Sequence, residues 1–143
     1  MTADDELVGW FATRGQEVEA LRALTGGITA THMRRTPISE KALAALVRGL
    51  NHPSPRVRWW CVQVLDHATD PRAVTAISAL LEDEVPRVRR AAAHALGCVS
   101  CKPEWNGALP AGIATRLADT AAADPNQKVR NEATYTLSRL EHI

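Results

Sequence analysis

Pro55-Arg56-Val57-Arg58 returns 31 residues later as Pro86-Arg87-Val88-Arg89. Carried outward at that offset, residues 39–67 lie against 70–98 without a gap. Eight of those 29 pairs are identical, among them Ala42 with Ala73, Ala45 with Ala76, Leu50 with Leu81 and Leu65 with Leu96. A third copy follows at an offset of 41, where Asp83 meets Asp124, Val88 meets Val129, Arg89 meets Arg130, Ala92 meets Ala133 and Leu96 meets Leu137. The ten additional residues fall near 102–110, whose Pro, Gly and Asn content reads as a loop. A fixed period of this length marks stacked supersecondary units.

Each unit reads as two helices. The first spans about 39–50, and again 70–81; the second spans about 54–67, then 85–98, then 126–140. Asp70-Pro71 and Ser54-Pro55 place a side-chain acceptor at the N-cap and a proline at the first helical position. Within each second helix the apolar residues recur at i, i+4, i+7 and i+8: Val57, Cys61, Val64, Leu65, then Val88, Ala92, Ala95, Leu96, then Val129, Ala133, Thr136, Leu137. That spacing is one buried stripe of a helix. Composition agrees. The chain has 143 residues, room for one domain, with 24 Ala and 14 Leu against one Phe and one Tyr. Ala and Leu lose little side-chain freedom in a helix, whereas a sandwich or barrel would need more β-branched and aromatic residues.

A helical pair of about 31 residues, with Asp in the turn, a basic residue six positions on and small residues after it, resembles the HEAT repeat, and most closely the HEAT-like subtype named after phycobilisome lyases. The resemblance implies an all-α, right-handed solenoid of stacked helix pairs. The repeats are assigned to 39–69, 70–100 and 111–143, with a loop insert at 101–110. Residues 1–38 do not match the repeat. They read as helices at about 4–13 and 16–24, ended by Gly26-Gly27, and are expected to cap the stack, because a terminal unit must cover an otherwise bare apolar end.

Each second helix opens with two basic residues: Arg56 and Arg58, Arg87 and Arg89, Lys128 and Arg130. The resemblance implies that the second of each pair ties to an Asp in the preceding turn. Asp83 with Arg89 and Asp124 with Arg130 keep the six-residue spacing, while His52 stands where the acid would precede Arg58. The first of each pair begins a different face, because residues at i, i+3 and i+7 share one side of a helix. That face carries Arg56, Trp59 and Gln63, then Arg87, Arg90 and His94, then Lys128, Asn131 and Tyr135. In a HEAT-type stack these rows would line the concave surface. A solvated face is the alternative for any one residue. Recurrence of basic residues interleaved with Trp, His and Tyr favours a binding groove for a protein or peptide partner, with a nucleic-acid backbone as the other candidate occupant.

His94, Cys98 and Cys101 have the spacing of zinc ligands, but no fourth ligand is obvious beyond His67, which aligns with Cys98 one repeat away, and no second close pair accompanies them, so no metal is expected. Three cysteines do not make a disulfide framework. No nucleophile elbow, phosphate loop, HExxH or dinucleotide-binding glycine run occurs. The alkylpurine DNA glycosylases, a HEAT-like enzyme family, are similar only in a loose grouping of Trp59, Asp66 and Arg90, which carries over no catalytic residue. Seventeen basic and sixteen acidic residues leave a formal charge of +1, without the broad basic field of a DNA-coating protein. The acidic N-terminus is unlike a signal peptide, and no apolar run has the roughly 20 residues of a membrane span. The expectation is therefore a cytoplasmic, non-catalytic interaction module with no cofactor and no membrane contact, working through its concave face.

Overall fold

Helix is the regular structure of this chain: among the described residues there are eight α-helices and no strand. The computed structural model describes residues 2–26, 38–68, 71–100 and 109–140. Contacts divide the chain into two units, Met1–Asp70 and Pro71–Ile143.

In the first unit, α1 (Ala3–Gly9) starts at a reciprocal cap. Thr2 Oγ1 accepts from the Asp5 N–H at 3.2 Å, and the Thr2 N–H donates back to Asp5 Oδ2 at 2.9 Å. A 3-10 turn at Trp10–Ala12 leads to α2 (Glu17–Thr25). This helix ends at Gly26, whose φ of +67° lets its N–H reach the Arg22 carbonyl. Next come α3 (Glu40–Gly49), capped by Ser39, and α4 (Pro55–Ala68). The α4 stripe is buried as its period requires: Val57, Cys61, Val64 and Leu65 are at most 1% exposed. Phe11, fully buried, stacks its ring on Trp60 with centroids 5.6 Å apart. Elements α1, α3 and α4 converge at Gly49, where an added Cβ would lie 2.5 Å from Cys61 Sγ and 2.6 Å from Val8 Cγ1. A side chain there would have to displace one of them. Across the same contact, Arg48 Nε donates to Asp5 Oδ1 at 2.8 Å.

The second unit opens with a 3-10 turn (Pro71–Ala73), α5 (Val74–Ala79) and another 3-10 turn (Leu80–Glu82). The continuous helix expected at 70–81 is thus tightened at both ends. The Ala73 N-cap offers α5 no side-chain acceptor, and the final turn winds down directly into Asp83. The expected Asp70 cap lies outside the described residues. Then follow α6 (Pro86–Ser100), α7 (Ala111–Ala123) and α8 (Gln127–Leu140). Helix α8 packs against both α6 and α7. Val88, Ala92, Ala95 and Leu96 of the α6 stripe are buried, as are Val129, Ala133 and Thr136 of α8. Leu137, near the end of α8, is only half-buried. Small residues set the approach of α6 to α8. Thr136 Oγ1 donates to the Ala93 carbonyl at 2.9 Å, and a Cβ at Gly97 would stand 3.1 Å from Thr136 Cγ2.

Candidate functional site

The two basic residues of each second helix have different roles. The second one is structural in all three copies. Arg58 Nη1 donates to the His52 carbonyl at 2.8 Å, Arg89 Nη1 to the Asp83 carbonyl at 2.8 Å, and Arg130 Nη1 to the Asp124 carbonyl at 2.6 Å. The six-residue spacing is therefore a guanidinium-to-backbone bond, which needs no acid at its far end. The side chain of the turn residue instead accepts the N–H two residues on. Asp83 Oδ1 takes Val85, Asp124 Oδ1 takes Asn126, and His52 Nδ1 takes Ser54. The imidazole nitrogen thus does in the first copy what a carboxylate does in the others.

Between copies of the second unit the tie is ionic. Arg89 presents its fork to Asp124, Nε to Oδ2 at 2.9 Å and Nη2 to Oδ1 at 3.2 Å, with side chains only 11% and 6% exposed. Burial works against the charged form of Asp124. The Arg89 bonds, the Asn126 N–H and the charges of Arg89 and Arg130 outweigh it and hold the carboxyl below its ordinary range.

The first basic residue meets different fates. In the first unit Arg56 is drawn inward: its Nε donates to the Phe11 carbonyl at 2.9 Å and its Nη2 lies 3.5 Å from Glu17 Oε2. The Glu17 carboxyl is held below its ordinary range by its own backbone N–H, then by the Gly15 N–H and by Arg56. Trp59, expected on the open face with Arg56, is half-buried with its ring edge-on to Trp60 at 5.1 Å, and Gln63 is half-buried too. Arg56 therefore ties down the N-terminal segment, and Trp59 packs on Trp60, whose ring stacks on Phe11.

In the second unit the corresponding residues stay at the surface and come together. Arg87, Arg90 and Lys128 line one open depression of about 320 Å³ with Pro86 and Asn126. It sits where α6 and α8 begin, and the partial positive charge of two helix N-termini adds to the three cations. Asn126 Oδ1 caps α8, accepting from the Lys128 and Val129 N–H groups at 2.9 and 3.3 Å. Glu132, one turn after Lys128, is a residue that the repeat pattern does not single out. Its Oε1 stands 3.7 Å from Arg90 Nε and 3.6 Å from His94 Nδ1, so it joins the α6 row to α8. The i, i+4 relation to Lys128 is the only signal of it in the sequence. Asn131 and Tyr135 are exposed, and Arg139 lies over the Tyr135 ring at 5.7 Å.

Cys61 is buried, and burial pushes its thiol up to about 12. Cys101 and the side chains of His67 and Cys98 lie outside the described residues. No group of three metal-ligating side chains occurs among the residues described.

A family model for HEAT repeats matches residues 17–97 and again 43–138. The chain belongs to the HEAT-repeat family. A solved structure matches in fold. The structure of human deoxyhypusine hydroxylase in complex with glycerol superposes with a TM-score of 0.66 at 24% identity, over 100% of this chain and 45% of that one. This HEAT-repeat chain thus spans less than half the length of that neighbour, and the likeness is one of fold. No curated protein matches in sequence. The neighbour corrects one expectation. A helical repeat without a familiar nucleophile motif suggests a non-catalytic chain. A hydroxylase has this fold over the whole length of the present chain, so the repeat architecture gives no ground for excluding catalysis. Paired helices are a frame, and chemistry belongs to whichever side chains the frame brings together. Among the described residues no helix is long and apolar enough to cross a membrane.

Proposed function

We propose that this HEAT-repeat chain is an interaction module that holds an acidic protein or peptide segment on the exposed face of its second helices. HEAT repeats typically serve as protein-interaction scaffolds. The observation that carries the reading is the meeting of Arg87, Arg90 and Lys128 around one depression, with no carboxylate in its lining. His94, Asn131 and Tyr135 extend the surface along α6 and α8, and Tyr135, 57% exposed, offers a flat apolar contact of the kind that anchors partners. This face is the concave one in the repeat reading. The surface belongs to α6 and α8; Arg56 and Trp59 of the first copy are engaged within their own unit.

A protein segment fits this surface better than a nucleic acid. The cations are grouped at one depression rather than spread along a track, and the net charge is only +1, so the surface lacks the continuous basic stripe that a nucleic-acid backbone follows. The test is fluorescence anisotropy with a labelled peptide, Gly-Glu-Glu-Ser-Glu-Glu-Gly, against its glutamine counterpart. The acidic peptide should bind, the glutamine peptide should not, and Arg90→Gln should weaken binding with the melting temperature unchanged. Equal binding of both peptides, or of neither, refutes the reading.

A further inference from the structure

The lining of the α6–α8 depression is unbalanced in charge: three cationic side chains, one amide, one proline and no acid. We propose that the depression of Arg87, Arg90 and Lys128 is a phosphate-monoester site, and that its occupant is a phosphorylated serine or threonine within an acidic protein segment. This inference rests on the interaction reading above and narrows its ligand.

Charge and shape both favour this ligand. A carboxylate brings one negative charge and two acceptor oxygens. A phosphomonoester brings about −1.5 to −2 and three strong acceptors at neutral pH, and it accepts the guanidinium fork as readily. Two arginines and a lysine match the second ligand better than the first. Lysine serves there as a point charge and the arginines as paired donors. Asn126 adds a donor, because its Oδ1 is turned to the Lys128 and Val129 N–H groups and its amide nitrogen is the end left for a ligand. Pro86 supplies an apolar wall against which the carbon stem of a phosphoserine can lie. The open volume of about 320 Å³ exceeds that of a phosphoryl group on its stem.

Glu132 gives the proposal a second, independent handle. It stands outside the lining yet within 3.7 Å of Arg90 Nε, where its carboxylate holds the guanidinium. An arriving phosphoryl group competes with Glu132 for Arg90. Removing that carboxylate must therefore tighten phosphate binding, the opposite of what loss of a supporting residue would do.

The experiment uses the peptide Gly-Glu-Glu-Ser-Glu-Glu-Gly with serine, phosphoserine or glutamate at the centre, and a thymidine dodecamer, all labelled with fluorescein and titrated with the full chain. The phosphoserine peptide should bind at least about tenfold tighter than the serine peptide, the equivalent of one added charge-assisted bond, and clearly tighter than the glutamate peptide. Inorganic phosphate should compete with it. Arg87→Gln with Lys128→Gln should abolish the preference, and Glu132→Gln should strengthen binding of the phosphoserine peptide several-fold. Equal affinity for the three peptides overturns this inference and leaves the acidic-segment reading standing. Failure of all three peptides to bind removes both. Tighter binding of the dodecamer than of the phosphoserine peptide overturns it in favour of a nucleic acid, and weaker binding by Glu132→Gln overturns the competition on which it stands.

Discussion

Replacing Arg89 by alanine removes two bonds to the Asp124 carboxylate and one to the Asp83 carbonyl, and leaves a carboxylate that is 6% exposed without its main partner. Breaking a buried pair by deleting one member costs about 3–5 kcal/mol when the survivor is stranded. Asp124 is not wholly stranded, since it keeps the Asn126 N–H bond and the nearby charge of Arg130. The expected loss is therefore about 3 kcal/mol, or a fall of roughly 10 °C in melting temperature for a chain of this size. Arg89→Lys keeps the charge and loses the fork, and should fall between the two.

The acid dependence of this penalty makes the reasoning refutable. The Asp124 carboxyl is lowered in the folded state, so its contribution is present above the ordinary carboxylate range, near pH 4, and is lost as pH falls through the lowered folded value. Below that value a neutral Asp124 no longer needs its partner. The gap between wild type and Arg89→Ala, read from circular dichroism melts, should thus narrow from pH 7 to pH 3. It should not close, because the bond to the Asp83 carbonyl is independent of Asp124. A gap under about 1 kcal/mol at pH 7, or one undiminished in acid, would show that the pair is a solvated contact of little weight.

Gly49→Ala should destabilise by about 1–3 kcal/mol in urea unfolding, because the new methyl meets Cys61 Sγ and Val8 Cγ1; an unchanged midpoint would mean that α1 is not seated on α3 as described. Thr136→Val should cost about 1 kcal/mol by removing the buried bond from the Thr136 hydroxyl to the Ala93 carbonyl, whereas Thr134→Val, on the exposed side of α8, should cost nothing measurable. Cys61, with its thiol raised to about 12, should resist alkylation at pH 8 in the native protein and react on unfolding; mass spectrometry of its peptide reads both states, and prompt native labelling would refute its burial. Arg56→Ala should release the Phe11 carbonyl and expose the N-terminal segment to proteolysis, an effect that Arg87→Ala, at the same repeat position, should lack.

The helices and their buried faces were legible because their causes are local. A stripe at i, i+4, i+7 and i+8 has one side to bury, and Val57, Cys61, Val64 and Leu65 are buried together for that reason. The second-basic position was legible as well, since the turn carbonyl six residues before it is within reach in every copy. Its partner was not. The spacing points Arg130 to the Asp124 side chain, whereas Arg130 takes the backbone carbonyl and Arg89, 35 residues before Asp124, takes the carboxylate. No pattern within one repeat contains that choice.

Arg56 and Arg87 show the division most clearly. They hold the same place in two copies of one motif, and the sequence alone determined for both a cation on the open face at the start of a second helix. Tertiary structure then separated them. The N-terminal segment brings the Phe11 carbonyl and Glu17 to Arg56 and leaves it half-buried. At Arg87 the neighbouring element is α8, which brings Lys128 and Asn126 to its side and makes a cationic depression instead. Periodicity specifies a side of a helix, because it is a property of one backbone with a fixed turn. What lies against that side depends on how separate helices pack, and residues far apart in sequence decide it.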